Sequence, residues 1–294
     1  MIVDVHTHTP THREAVPPND LRVQAMWRPD RPVTPTCSWA DYLAGTRPAS
    51  RSIVFGMAFP PGVDSETMTG IPYPPGTDIN ELTAEFVAAH PDRLIGFLSV
   101  YPDHPLALRE IDRGVRELRL RGIKLGPNYQ NFDPLSSPAM AIYARAEELG
   151  VPVLFHQGTS PVRTAPIRYA HPLVMDEIAI AFPRLPVIMA HMGHPWQADC
   201  IVVIRKHPHL YADVSGLFYR PWSLYNCLRL AAEWNVMSKL LLGSDFPITT
   251  CQETIDGLRR VNRIIEGTAL PPVPEEQIEG IIERDSLALL GLDR

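Results

Sequence analysis

Short apolar runs alternate with amphipathic stretches along the whole chain. The runs fall at Ile2–His6, Ile53–Ala58, Leu94–Val100, Gly122–Leu125, Val151–His156, Val187–His191, Leu210–Val214 and Leu240–Asp245. They are rich in Val, Ile, Leu and Phe and show little alternation. Strands buried on both faces of a parallel sheet have this pattern. Between them, apolar residues recur at helical spacing, as in Ile79, Leu82, Phe86 and Val87, or Leu108, Ile111, Val115 and Leu118. Asp78 with Glu81 predicts a capping box, and Thr250 with Glu253 predicts a cap for a helix carrying Ile255, Leu258, Val261 and Ile264. Ser137 followed by Pro138 predicts an N-cap and first-turn pair opening Ala139–Leu149, which Gly150 stops. A final helix is expected near Glu275–Leu290. Eight β/α units in order predict an α/β fold, a single (β/α)8 TIM barrel spanning 1–294. The rival is a doubly wound sheet. Its usual nucleotide signatures, GxGxxG and GxxxxGK[ST], do not occur.

Length alone allows two domains, but no repeat, low-complexity tract or charge run marks a boundary. The net charge of −6 argues against a nucleic-acid partner. No apolar run reaches the roughly 18 residues of a membrane helix. The opening MIVDVHTHTP has neither a basic n-region nor a long apolar h-region, so no signal peptide is expected. Cys37, Cys200, Cys227 and Cys251 form no CxxC pair, which predicts free thiols and a cytoplasmic enzyme. The 31 prolines are the anomaly, at about twice the usual ~5%. Pro10, Pro17, Pro18, Pro29, Pro32 and Pro35 fall in the loop 9–36 after the first strand. Pro60, Pro61, Pro72, Pro74 and Pro75 fall in the loop 59–77 after the second. Proline lowers the entropy lost on ordering, so both loops are expected to act as a lid or pocket wall on the catalytic face, the alternative being irregular surface loops or an oligomer contact.

His6 and His8 lie at the end of the first strand, where side chains at i and i+2 point the same way. Such an HxH pair is a weak signal alone. The fifth strand, however, ends at His156, the sixth at His191 and the eighth at Asp245. In a closed barrel these ends converge, and ionisable groups there are costly unless paired or liganded. The convergence predicts a metal site.

Several segments together resemble the amidohydrolase superfamily, in its amidohydrolase-2 branch, which includes aminocarboxymuconate-semialdehyde decarboxylase. They are DVHTH at the first strand, HPDR before the third, GIKLGPNYQNFDP at the fourth and VPVLFHQG at the fifth. FPRLPVIMAHMG, LYADVSG and LLLGSDFP follow at the last three strands, and Ala288–Leu292 is similar to the family's last helix. The resemblance implies that His6, His8, His156 and Asp245 hold one divalent metal, Zn2+ by preference. It also implies that His191 polarises or deprotonates a water, with Asp245 as a second proton acceptor. Lys124, ending the fourth strand, has three readings: a carboxylated bridge between two metals, a cation for a substrate carboxylate, or a lysine paired to an acid. Asp213 and Ser215, ending the seventh strand, are expected to bond His191 or substrate. Arg13, Arg28, Arg31, Arg163 and Arg168 are candidates for gripping an anion. Trp27, Tyr129 and Tyr169 are candidate apolar walls, and His194 a candidate supporting residue. The leading expectation is a hydrolase cleaving a small carboxylate-bearing amide, ester or lactone with a metal-activated water. The alternative is a nonoxidative decarboxylase of an unsaturated or aromatic acid, and the third reading is a non-catalytic binding barrel. Because relatives are often dimers, the resemblance also implies a homodimer.

Overall fold

The structure, a computed structural model, describes residues 1–60 and 62–293; Pro61 of the second proline-rich loop therefore lies outside the described residues. Eight strands run β1 (Val3–His8), β2 (Arg51–Phe55), β3 (Leu94–Ser99), β4 (Ile123–Leu125), β5 (Val153–Phe155), β6 (Val187–Met189), β7 (Leu210–Asp213) and β8 (Leu240–Leu241). Each pairs in parallel with the next, in chain order. The helices between and after them are α1 (Trp39–Gly45), α2 (Ser65–Thr69), α3 (Ile79–Ala89), α4 (Ala107–Arg116), α5 (Ser137–Leu149) and α6 (Val174–Ala181). They continue with α7 (Gln197–Lys206), α8 (Pro221–Glu233), α9 (Cys251–Arg259), α10 (Glu275–Ile282) and α11 (Ser286–Leu289). This is a (β/α)8 TIM barrel.

The sheet closes through residues that follow the short β8. Val5 N donates to Leu242 O at 2.9 Å, Asp245 N to His6 O at 2.8 Å and His8 N to Phe246 O at 2.8 Å. Val3, Val5, Ile53, Phe55, Ile95, Phe97, Leu154, Ile188 and Leu241 fill the barrel interior in one cluster. Their strand neighbours, such as Leu98, Ile123, Leu125, Val153, Phe155 and Val187, pack in a second cluster with helix residues such as Ile111, Ile142, Ile178 and Ile201. Both faces are thus buried, which is why the strands show so little alternation.

Several expected boundaries move. β6 ends at Met189 and β8 at Leu241, short of the expected His191 and Asp245. Asp78 caps α3, accepting from the Asn80 and Glu81 amides, but the Glu81 carboxylate turns to Arg113 at 2.9 Å instead of reaching back. At α5 the N-cap is Ser136, with Ser137 as the first helical residue. Thr250 and Glu253 do form a reciprocal capping box. The expected last helix is two, α10 and α11, broken between Ile282 and Ser286. The 59–77 loop contains the short α2, capped by Asp64. No described helix is long and apolar enough to cross a membrane.

Candidate metal centre and active site

A register slip between Asp4 and Thr7 shapes the first part of the site. Asp4 pairs with Ser52 and Thr7 with Val54, so two residues of β1 stand opposite one of β2. This is a β-bulge, which re-aims side chains. Val5 belongs to the inner cluster, and His6, the next residue, packs against the inner Phe55 ring at 5.1 Å. His8 meets the same ring at 5.1 Å. Thr7 points the other way and bonds Tyr42 and the Ile53 carbonyl. Asp4 leaves the histidine row and accepts from the amides of His6 and Ser244.

On β4, Lys124 lies between the outward Ile123 and Leu125 and so faces the axis. On β5, Leu154 is inward and His156 follows two residues later. Two other residues reach the axis by backbone turns. His191 has φ 57° and Met192 φ 48°, in a single turn after β6. Asp245 has φ 68°. Positive φ is uncommon for residues with a side chain and concentrates at functional sites. Gly243 lies between, and it has no room for a side chain: a Cβ there would sit 2.9 Å from His6 Cβ and 3.2 Å from Asp213 Cβ.

The donors then converge. Asp245 Oδ1 lies 3.0 Å from His8 Nε2 and 3.3 Å from His6 Nε2. Among the described residues, ligand atoms of His6, His8 and Asp245 lie within 4.8 Å of one another, and so do those of His6, His191 and Asp213. His156 is in neither group; its ring packs on Tyr129 at 4.6 Å and His191 at 5.1 Å between centroids. Nε2 of His6 and Nε2 of His156 are both buried without a hydrogen-bond partner. Burying such nitrogens unpaired is costly, and a cation between them would remove that cost. The nitrogen and carboxylate set fits a divalent metal of the zinc or manganese kind.

Asp213 organises the back of the site. It is fully buried and does not line the cavity. Its Oδ2 accepts from His6 Nδ1 at 2.8 Å. Its Oδ1 accepts from the His191 and Ser215 amides, each at 3.0 Å, and from the Ser215 hydroxyl. With its proton on Asp213, Ser215 Oγ receives the His191 Nδ1 proton at 2.8 Å, and the Ser215 carbonyl accepts it at 3.1 Å. Both histidines are thereby held with Nδ1 protonated and Nε2 free. Burial pushes the Asp213 carboxyl up, but the charge and hydrogen bond of His6 outweigh this and hold it well below the usual carboxylate range. Burial likewise lowers the His6 imidazole, and Asp213 reverses the shift so that its pKa ends raised. Burial lowers His8 to about 4, and lowers His191 and His156 too.

Lys124 is 1% exposed, and its Nζ has no hydrogen-bond partner. It stands over the Phe55 ring at 4.5 Å. The reading that paired it with an acid is therefore corrected: no ion pair among the described residues includes it. Burial lowers its pKa to about 7.

An inner cavity of about 40 Å³ is lined by His6, His8, Lys124, His156, His191 and Asp245. Trp27 from the first long loop and Thr69, Ile71 and Tyr73 from the second complete it, with Met57, Tyr129 and Ile248. The two loops are tied together: Gln24 donates to the Gly70 carbonyl at 3.0 Å and Tyr73 to the Thr9 carbonyl at 2.7 Å. An outer chamber of about 250 Å³ shares Trp27, Tyr129, His156, His191, Asp245 and Ile248 and adds His194, Tyr219 and Arg220. Most of the expected arginines are elsewhere. Arg163 and Arg168 are exposed and line neither space, Arg168 lying on Tyr169 at 4.3 Å. Arg13 stacks on Trp39, Arg28 is held by Asp30, and Arg31 by Glu253. Of the candidate substrate-binding residues, Arg163 and Arg168 thus project to solvent, and Asp213 is taken up by its bonds to His6, His191 and Ser215. Met57 was legible from alternation along β2, two residues past Phe55. Arg220 lies in an irregular loop and carries no sequence signal.

A family model described as Amidohydrolase matches residues 3–292. Solved structures agree in fold. A 5-carboxyvanillate decarboxylase from Sphingomonas paucimobilis is 17% identical, with 87% of this chain and 84% of that chain covered and a TM-score of 0.60. A probable 2-pyrone-4,6-dicarboxylic acid hydrolase from Acinetobacter baumannii, with citric acid bound, is 16% identical, with 99% of each chain covered and a TM-score of 0.62. A dihydroxybenzoic acid decarboxylase from a Polaromonas species, with manganese and 2-nitroresorcinol bound, is 18% identical, with 100% and 97% covered and a TM-score of 0.62.

Proposed function

The chain belongs to the amidohydrolase family, and from that premise we propose a metal-dependent hydrolase of small carboxylate-bearing amides, esters or lactones. The observation that carries the reading is the pair of buried, unpartnered imidazole nitrogens on His6 and His156, in a site that Asp245 also lines. His6, His8, His156 and Asp245 would hold the ion, zinc by the chemistry of three nitrogens and one carboxylate. Bound there, a divalent ion would polarise a carbonyl and bring the pKa of water down toward neutrality. His191 presents its free Nε2 as general base, because Ser215 occupies Nδ1. Asp245 shares proton transfer. Lys124 meets the substrate carboxylate, which supplies the partner its Nζ lacks. The two long loops form the wall that excludes water.

A second reading, nonoxidative decarboxylation of an aromatic or unsaturated acid, is favoured by the decarboxylases among the structural neighbours and by the aromatic walls Trp27, Tyr73 and Tyr129. Here His191 would deliver a proton to carbon as carbon dioxide leaves. Carbon dioxide release and ester, lactone and amide cleavage, assayed over a panel of small carboxylic acids with and without chelator, separate the two. Hydrolysis abolished by chelation is expected; carbon dioxide release abolished by chelation supports the second reading. Turnover that ignores chelation contradicts both.

A further inference from the structure

Arg220 differs from the other arginines near the catalytic loops. Arg28 is committed to Asp30 through two bonds of 2.9 and 2.7 Å, Arg31 faces Glu253 at 2.7 Å and Arg22 faces Glu66 at 3.4 Å. Arg220 has no carboxylate partner among the described residues. Its Nη1 donates to the Gly216 carbonyl at 2.8 Å, and its guanidinium lies 4.6 Å over the Tyr219 ring. Arg28 lies 4.7 Å from that same ring. The stack and the carbonyl bond hold Arg220 in place while leaving most of its donors unused. It lines the outer chamber with His156, His191 and Asp245. Among the described residues, Asp245 is the one acidic residue in that lining, and it is already engaged by His8.

The cavity therefore has two uncommitted basic groups at separate levels. Lys124 lines only the inner part, and Arg220 only the outer chamber. Apolar Trp27, Tyr129 and Ile248 border both parts. A cation left without a counter-ion beside an apolar passage is an anion site awaiting its ligand.

We propose that Arg220 is a second anion subsite and that the substrates are compact dianions, with one carboxylate toward Lys124 and a second acidic group on Arg220. The inner half of this assignment rests on the reading given under Proposed function. The outer half rests on Arg220 alone. A planar guanidinium with free donors accepts a carboxylate in a forked pair, which a monoanion cannot use while its single carboxylate is at the inner end.

The test is calorimetric binding to the metal-loaded protein. The probes are benzoate against isophthalate and terephthalate, and butyrate against glutarate and adipate, so that several carboxylate separations are sampled. At least one dicarboxylate is expected to bind about tenfold or more tightly than its monocarboxylate counterpart. Arg220→Gln removes that advantage and leaves monocarboxylate binding unchanged; Arg220→Lys keeps part of it. Equal affinities in the parent protein, no binding by any probe, or an advantage that survives Arg220→Gln overturns the proposal. Lys124→Met separates the two halves. It weakens both series if the inner assignment holds. Unchanged monocarboxylate binding in Lys124→Met, with the dicarboxylate advantage still lost in Arg220→Gln, overturns the role given to Lys124 and leaves the outer subsite standing.

Discussion

His6 on β1 and Asp213 on β7 are joined across the barrel, Nδ1 to Oδ2, at 2.8 Å, with both side chains shut off from solvent. The same carboxylate holds His191 through its backbone amide and through Ser215. One buried anion thus sets the orientation of a proposed metal ligand and of the proposed base. Asp213→Asn keeps the shape and removes the charge. Metal affinity is expected to fall about 10–100-fold, as for other partners that support a liganding histidine. Chelator competition measures it, and an unchanged affinity contradicts this role.

Ser215→Ala separates the two histidines. It leaves the 2.8 Å His6–Asp213 bond intact, removes only a long 3.4 Å contact to His6 Nδ1, and frees His191 Nδ1 from a 2.8 Å bond to the hydroxyl. Metal content is expected to stay at the parent level while kcat drops about tenfold, the value of roughly one hydrogen bond to a reacting group. Loss of metal together with activity would show that Ser215 supports the ligands instead.

Gly243 makes the close approach of His6 and Asp213 possible. A methyl group there meets His6 Cβ at 2.9 Å and Asp213 Cβ at 3.2 Å, and the two neighbours are held to each other by the Nδ1–Oδ2 bond. Gly243→Ala is expected to lower stability by about 1–3 kcal/mol and to lower metal affinity with it. Thermal unfolding with and without chelator reads both effects. A variant with parental unfolding and affinity refutes the packing argument.

Much of this was legible in the chain. The eight apolar runs predict the barrel because parallel strands buried on both faces lose alternation, and the gathering of His6, His8, His156 and Asp245 around one cavity follows from their common end of the sheet. The route by which they converge was not legible. His191 and Asp245 lie beyond their strands and turn inward through left-handed backbone, and His6 depends on a bulge that no local pattern marks. Arg163 and Arg168 were candidates for an anion although most loop arginines are merely solvated, and their exposure follows from loop paths set by long-range contacts that spacing does not encode. Arg220 was missed for the same reason.

Lys124 gives a pH signature in metal-free protein. Burial lowers its folded pKa to about 7, against 10.5 for the ordinary side chain. Between these values the unfolded chain keeps a proton that the folded protein has released, so this group makes stability rise with pH. The slope is at most about 1.4 kcal/mol per pH unit. Lys124→Met removes the effect. Its stability advantage over the parent is expected to be greatest below pH 7 and to shrink toward pH 10.5. Denaturant unfolding across that window checks the sign, and a pH-independent difference contradicts it.

The central claim is that His6, His8, His156 and Asp245 hold one divalent ion. Elemental analysis of the purified parent chain beside Asp245→Ala tests it most directly. The account predicts about one zinc or comparable divalent ion per parent chain and a small fraction of that in the variant, with both proteins folded by circular dichroism. A parent chain that carries no metal and takes up none on incubation with zinc or manganese, or a folded variant that retains the full complement, contradicts it.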